Sequence, residues 1–169
     1  SASDRHATGH QHWDLVELGY KGNMTDLDAA LLLIQLPKVE QKRQQREQLV
    51  RNYETELASR IPDIRLVERR GQSSHHLFTI HVADRSIAIT GRRRDALLTA
   101  LKTAGVGTAV NYRAIHTLTY LKEILGISLG AFPIAEAIGN TTVSLPLYPT
   151  LAEPEQRYVI DSVVANWTG

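Results

Sequence analysis

The sequence predicts an α+β chain, with helices covering a small sheet and a long helical arm ahead of it. Three observations carry this. Apolar residues recur at helical spacing from Leu27 to Leu57. After "IPD" (residues 61–63) the period shortens, and β-branched and aromatic runs begin. The resulting order is helical spine, strand, strand, helix, strand, helices, strand, helix. Only the residues from about 61 onward look self-sufficient. The expected divisions are an arm over 1–24, a bent helical spine over 25–60 and a small α+β domain over 61–169.

Residues 1–18 are polar and irregular. Thr25 is a good N-cap, Asp28 stands at the capping-box position, and Asp26 suits the positive end of a helix. Leu27, Ala30, Leu31 and Ile34 share one face, but Leu32 and Leu33 lie off it. A helix apolar nearly all round is buried on several sides, which needs more protein than this chain offers. Pro37 cannot donate an interior helix bond, so a kink or restart is expected there. A second helical stretch runs from Lys38 to about Arg60, with Val39, Leu49, Val50, Tyr53 and Leu57 apolar and "EQKRQQREQ" solvated.

Ile64–Glu68, His75–Val82, Val106–Tyr112 and Thr141–Leu147 read as strands. Thr90 can cap a helix from Gly91 to Thr103 that turns Ala96, Leu97, Ala100 and Leu101 inward and ends at Gly105. "TLTYLKEIL" is a short helix, and another starts at Pro133. The closing helix spans Glu153–Trp167, with Pro154 in its first turn and Val159, Ile160, Val163 and Val164 on its apolar face.

The composition excludes several classes. There are 19 basic and 18 acidic residues, a net charge of +1, which gives no global field favouring nucleic acid or an anionic membrane. No apolar run approaches the roughly 20 residues that span a bilayer. The chain has no cysteine, hence no disulfide and no thiolate metal site, which fits a reducing cytoplasm. The start "SASDRHATGHQHW" lacks the apolar core of a signal peptide.

The stretch "GYKGNMTDLDAALLLIQLPKVEQKRQQREQLVRNYETEL" resembles the C-terminal half of the DegT-type nucleotide-sugar aminotransferases, and the ArnB-like branch in particular. The similarity continues in the same order through "HHLFTIHV", "RRDALLTALKTAGVGTAVNYRAIHTLTYLKE" and "VSLPLYPTLAEPEQRYVID", almost the whole chain. It implies the small domain of a fold-type I, pyridoxal-phosphate (PLP)-dependent homodimer, with three or four mainly antiparallel strands. It also implies transfer of an amino group, usually from glutamate, to a nucleotide-linked keto sugar. The family's Schiff-base lysine, the acid at the pyridine nitrogen and the ring-stacking group lie in an N-terminal domain absent from this sequence. No catalytic residue is therefore expected here, and the fragment alone should be inactive. Two alternatives stay open: a non-catalytic dimerisation or regulatory module of the same fold, and a dehydratase relative lacking the lysine.

The resemblance assigns a role to the collar before the first helix. In such enzymes it reaches across the dimer to the cofactor phosphate of the neighbouring subunit. Asn23 and Lys21 would donate to that phosphate, with Tyr20 shaping the wall. A helix N-terminus with free N–H groups would help. Read from the residues alone, the same stretch is an ordinary turn plus N-cap. "NYRAIH" is placed by the resemblance at the sugar-nucleotide entrance, so Tyr112, Arg113 and His116 are substrate-binding candidates. The alternative is a loop whose His116 caps the next helix and whose Arg113 is solvated.

Other clusters read more plainly. "GRRRD" puts three arginines in a helix's first turn, against the dipole; a solvated face offset by Asp95 is favoured over a nucleic-acid patch. His6, His10 and His12, with His75 and His76, lack the rigid convergence a zinc site needs, so no metal is expected. His76 should be packed and hydrogen-bonded at a strand entry, Trp13 should anchor the arm, and Tyr148 should form core or wall.

Overall fold

The computed structural model describes residues 20, 22–68, 71–82 and 91–167. The chain divides into two units, Ser1–Pro37 and Lys38–Gly169. The second helical stretch and the sheet fall in the same unit.

In the first unit, helix α1 spans Asp26–Gln35. Thr25 is its N-cap: Oγ1 accepts from the Asp28 N–H at 3.2 Å and donates to Asp28 Oδ2 at 2.7 Å. The helix buries none of its residues, and Leu27, Leu31, Leu33 and Ile34 are each more than half exposed. A 3₁₀ turn over Leu36–Lys38 contains Pro37, where the sequence predicts a restart.

In the second unit, α2 (Val39–Arg60) supplies Val50, Tyr53 and Leu57 to the core, while Val39 is exposed. Its outer face carries a ladder in which Arg43 pairs with Glu40 and Glu47, and Arg51 with Glu47. Such i,i+3 and i,i+4 pairs stabilise a solvated helix face by a few tenths of a kcal/mol each, roughly. Three strands follow in the order β1-β2-β3, all antiparallel: β1 (Arg65–Leu66), β2 (Phe78–His81) and β3 (Thr142–Leu145). Phe78 opposes Leu145 and Ile80 opposes Val143, so one face is apolar and the other carries Thr79, His81, Thr142 and Ser144.

The strand predicted over Val106–Tyr112 is reduced to a single bridge, Ala109 to Ser144, made by reciprocal backbone bonds of 3.2 and 2.8 Å. Gly105 and Gly107 interrupt the run before it, and the chain leaves the sheet after one pairing.

Helix α3 (Arg92–Thr103) turns Leu97 and Leu101 inward, with Leu98 packed beside them and Ala96 exposed. Its N-cap is Gly91 at φ 76°, which makes no side-chain bond; Thr90 lies outside the described residues. The C-terminus closes as the sequence predicts. Gly105, at φ 76°, donates to Lys102 O and Val106 donates to Leu101 O, the two bonds of a Schellman motif. After a 3₁₀ turn at Ile115–Thr117 come α4 (Thr119–Leu125) and α5 (Pro133–Thr141), the latter with proline in its first turn. Helix α6 (Glu153–Ala165) closes the unit with Val159, Ile160 and Val163 buried.

The core forms where α2, α3 and α6 meet the apolar sheet face. Tyr53 stacks on Phe78 at 4.7 Å between ring centroids and donates its hydroxyl to Pro146 O at 2.9 Å. Buried Gln156 joins α6 to α2, donating to Leu49 O at 2.6 Å and accepting from Asn52 at 2.8 Å. At the C-terminus Trp167 donates to Asp63, and Arg93 lies over the indole at 5.2 Å while pairing with the same carboxylate.

Candidate functional site

The predicted site residues fall into two groups, one in each unit. Of the collar, Tyr20 is fully exposed and Asn23 is exposed, and Lys21 lies outside the described residues. The Asn23 amide has no hydrogen-bond partner among the described residues, so its donors and its acceptor are open. That fits a group held ready for an external anion such as a cofactor phosphate. The helix end behind it fits less well. Asp26 and Asp28 put two carboxylates in the first turn, and Asp28 and Thr25 satisfy each other. Negative charge there already complements the dipole. Two carboxylates in the first turn make that helix end a poorer host for an anion.

The second group lies at the turn between the Ala109 bridge and α4. Tyr112 is 69% exposed, and the Asn111–Tyr112 peptide is cis. Arg113 is exposed, donates to Thr117 O at 3.3 Å, and borders a cleft of about 250 Å³ that Ala114, Thr117, Leu129, Glu136 and Asn140 also line. His116 is buried and does not cap α4. Its Nε2 lies 2.8 Å from Glu136 Oε1, and its ring meets Phe132 edge-on at 5.0 Å. Glu136 Oε1 also accepts from the Gly130 N–H at 2.8 Å. The His116 bond, then the Gly130 N–H, hold the Glu136 carboxyl below the usual carboxylate range.

Sequence reasoning missed Glu136. The one available signal was a lone carboxylate inside the apolar run "PIAEAI". It also misjudged the arginine cluster. Arg94 is 8% exposed and donates to Asp95 at 2.6 Å and to Gly139 O and Thr142 O at 3.0 and 3.4 Å. It thus covers carbonyls at the C-terminus of α5, where a cation is favourable. With Arg93 engaged at Trp167 and Asp63, two of the three arginines are structural, while Arg92 is exposed. His75, not His76, is the buried histidine of the strand entry.

Among the described residues no cluster of three or more His, Asp or Glu could hold a metal; His6, His10, His12 and Trp13 lie outside them. A larger cleft of about 650 Å³ lies between α2 and α6. Its arginines are already committed, Arg60 to Asp161 and Arg157 to Glu153. Among the described residues no helix is long and apolar enough to cross a membrane.

Residues 2–164 match the DegT/DnrJ/EryC1/StrS aminotransferase family. The chain belongs to this family. It is 31% identical over 160 residues to the spore coat polysaccharide biosynthesis protein SpsC of Bacillus subtilis (strain 168), covering 93% of this chain and 40% of SpsC. Among solved structures, it is similar to Streptococcus pneumoniae Spr1654 in its PLP form. That match has a TM-score of 0.77 and 28% identity, and covers 95% of this chain and 40% of that one. DesV of S. venezuelae matches with a TM-score of 0.75 and 26% identity over 95% of this chain and 41% of that one. The chain spans about two-fifths of the length of these relatives. The fold is that of the sugar aminotransferases, here with a three-stranded antiparallel sheet among helices.

Proposed function

We propose that this chain is the C-terminal part of a PLP-dependent aminotransferase. The whole enzyme moves an amino group, usually from glutamate, onto a keto sugar carried on a nucleotide. The observation that carries the reading is the family match across residues 2–164. The SpsC similarity supports a role in polysaccharide biosynthesis. The absence of cysteine supports a cytoplasmic enzyme.

When bound, PLP supplies the electron sink that lets an amino group leave one carbon and join another. This chain's residues serve its binding. Asn23 and Lys21 donate hydrogen bonds to the cofactor phosphate held by the neighbouring subunit, with Tyr20 beside it as wall. An amide and an ammonium suit this task because both offer N–H donors, and the ammonium adds positive charge. In the other unit Arg113 offers its planar guanidinium to the diphosphate of the sugar nucleotide, which two parallel N–H bonds can grip. Tyr112 stands exposed beside it, and His116 ends the segment as its buried anchor. The partner is a second copy of the subunit. The exposed leucines of α1 support this, since a helix apolar on all sides needs protein against it.

The test uses the full-length protein with PLP, glutamate and a nucleotide-linked keto sugar. Visible absorbance from retained cofactor and an aminated sugar nucleotide detected by mass are expected. A protein that retains no cofactor contradicts the reading. One that retains it but releases water from the sugar, transferring no nitrogen, supports the dehydratase alternative.

A further inference from the structure

Helix α5 holds the segment Asn111–Thr117 at three points. At the far end, Thr142, just beyond the helix, donates through Oγ1 to Asn111 O at 3.4 Å. In the middle, Gly139 lets the backbone of Arg113 and Ala114 lie directly on the helix; a methyl group there would stand 2.7 Å from the Ala114 nitrogen. At the near end, Glu136 reaches His116.

The third contact is the most demanding. A single oxygen, Glu136 Oε1, receives His116 Nε2 and the Gly130 N–H, each at 2.8 Å. It thereby ties the 3₁₀ turn at Ile115–Thr117 and the loop before α5 to one point. A carboxylate only accepts, so Nε2 carries the proton of this bond. Phe132 packs edge-on against the ring and limits its rotation. The side chains the segment leaves exposed are Tyr112, Arg113 and Ile115, and of these only Tyr112 and Arg113 carry polar groups. Where they stand depends on where the buried residue of the same turn is fixed.

We propose that Glu136 is a positioning residue for the nucleotide-sugar ligand: through His116 it sets the segment that presents Tyr112 and Arg113. This rests on the assignment of that segment to the ligand. Glu136 itself touches no ligand in this scheme. Its contribution is preorganisation, since a segment already ordered before binding loses less entropy on binding.

The experiment uses the full-length, cofactor-loaded protein and its variants Glu136→Ala, Glu136→Gln and Arg113→Ala. Affinity is measured by calorimetry against UDP, dTDP, GDP and CDP, following the one that wild type binds most tightly. Amide hydrogen exchange is read over residues 111–117, and cofactor absorbance is recorded throughout. Glu136→Ala is expected to speed exchange in that segment and weaken nucleotide affinity about tenfold, the loss of one charge-assisted bond, with cofactor retention unchanged. Glu136→Gln keeps an oxygen that accepts both donors and should restore both readouts to near wild type. Arg113→Ala should weaken affinity without changing exchange.

The proposal is overturned if Glu136→Ala leaves exchange and affinity as in wild type while Arg113→Ala weakens binding; the ligand assignment then survives without it. It is equally overturned if Glu136→Gln fails as badly as Glu136→Ala. Should Arg113→Ala bind normally, or wild type bind none of the four diphosphates, the ligand assignment itself falls and takes the proposal with it.

Discussion

Replacing Gly139 by alanine sets two effects of opposite sign against each other at one position. Gly139 lies inside α5, where alanine is favoured by about 1 kcal/mol on helix propensity alone. A surface glycine would therefore be stabilised. Here the added methyl group meets the Ala114 nitrogen at 2.7 Å, the Arg113 Cα at 3.2 Å and the Arg113 carbonyl carbon at 3.3 Å. All three are backbone atoms, so no side chain can swing aside. To reach an ordinary contact of 3.4 Å the segment must retreat by about 0.7 Å. Overpacking of this kind costs about 1–3 kcal/mol. Net of propensity, a loss of about 1 kcal/mol is expected for Gly139→Ala. The assay is urea unfolding of the 169-residue chain, followed by helical circular dichroism. With a slope of roughly 1–3 kcal/mol/M the midpoint should fall by about 0.5 M. Gly107→Ala is the control, because nothing lies within 4 Å of a methyl group there; its midpoint should hold or rise. A Gly139→Ala chain as stable as wild type, or more so, would refute the close packing of α5 on residues 113–114.

Further outcomes follow from the same structure. Gly105→Ala should cost about 1 kcal/mol although its surroundings are open, because the Schellman motif holds residue 105 at φ 76°; thermal unfolding reads it. Tyr53→Phe should lose about 1 kcal/mol by leaving Pro146 O without its donor. Burial raises the Tyr53 pKa, so the unfolded chain releases its proton first and wild type loses stability as pH climbs past about 10. Tyr53→Phe should show a shallower decline over the same alkaline range. Ser144→Ala should hold or raise stability, because Ser144 Oγ is the one buried side-chain oxygen without a partner among the described residues. The Glu136 carboxyl is held low, so its contacts persist through the ordinary carboxylate range, about 4.3, and are lost only as pH falls further, through its depressed pKa. Amide exchange at Gly130 should accelerate, relative to a solvated reference amide, over that acid range.

What the sequence disclosed follows the range of the forces involved. The Thr25 cap, the Gly105 C-terminus and the proline starts of α5 and α6 depend on residues within a few positions of one another, and each stands where local chemistry puts it. The Val106–Tyr112 run has strand composition, but pairing depends on the course of the chain beside β3, and only Ala109 meets it. Arg94 looked solvated because its partners, the carbonyls of Gly139 and Thr142, lie more than forty residues away. Glu136 and His116 are likewise 20 residues apart, and nothing local to either announces the other. For the collar the reverse holds. The role proposed for Asn23 comes only from the family resemblance, since alone it reads as a turn; the structure adds that its amide is open and that the helix end behind it carries acids in its first turn.

The proposed role of the collar is to grip an anion belonging to another subunit. The direct measurement is cofactor retention by the full-length protein carrying Asn23→Ala, read as visible absorbance after exhaustive gel filtration without added PLP. Faster loss of PLP than from wild type, with the unfolding midpoint unchanged, is the predicted result. Retention equal to wild type would contradict it and remove Asn23 from the cofactor site.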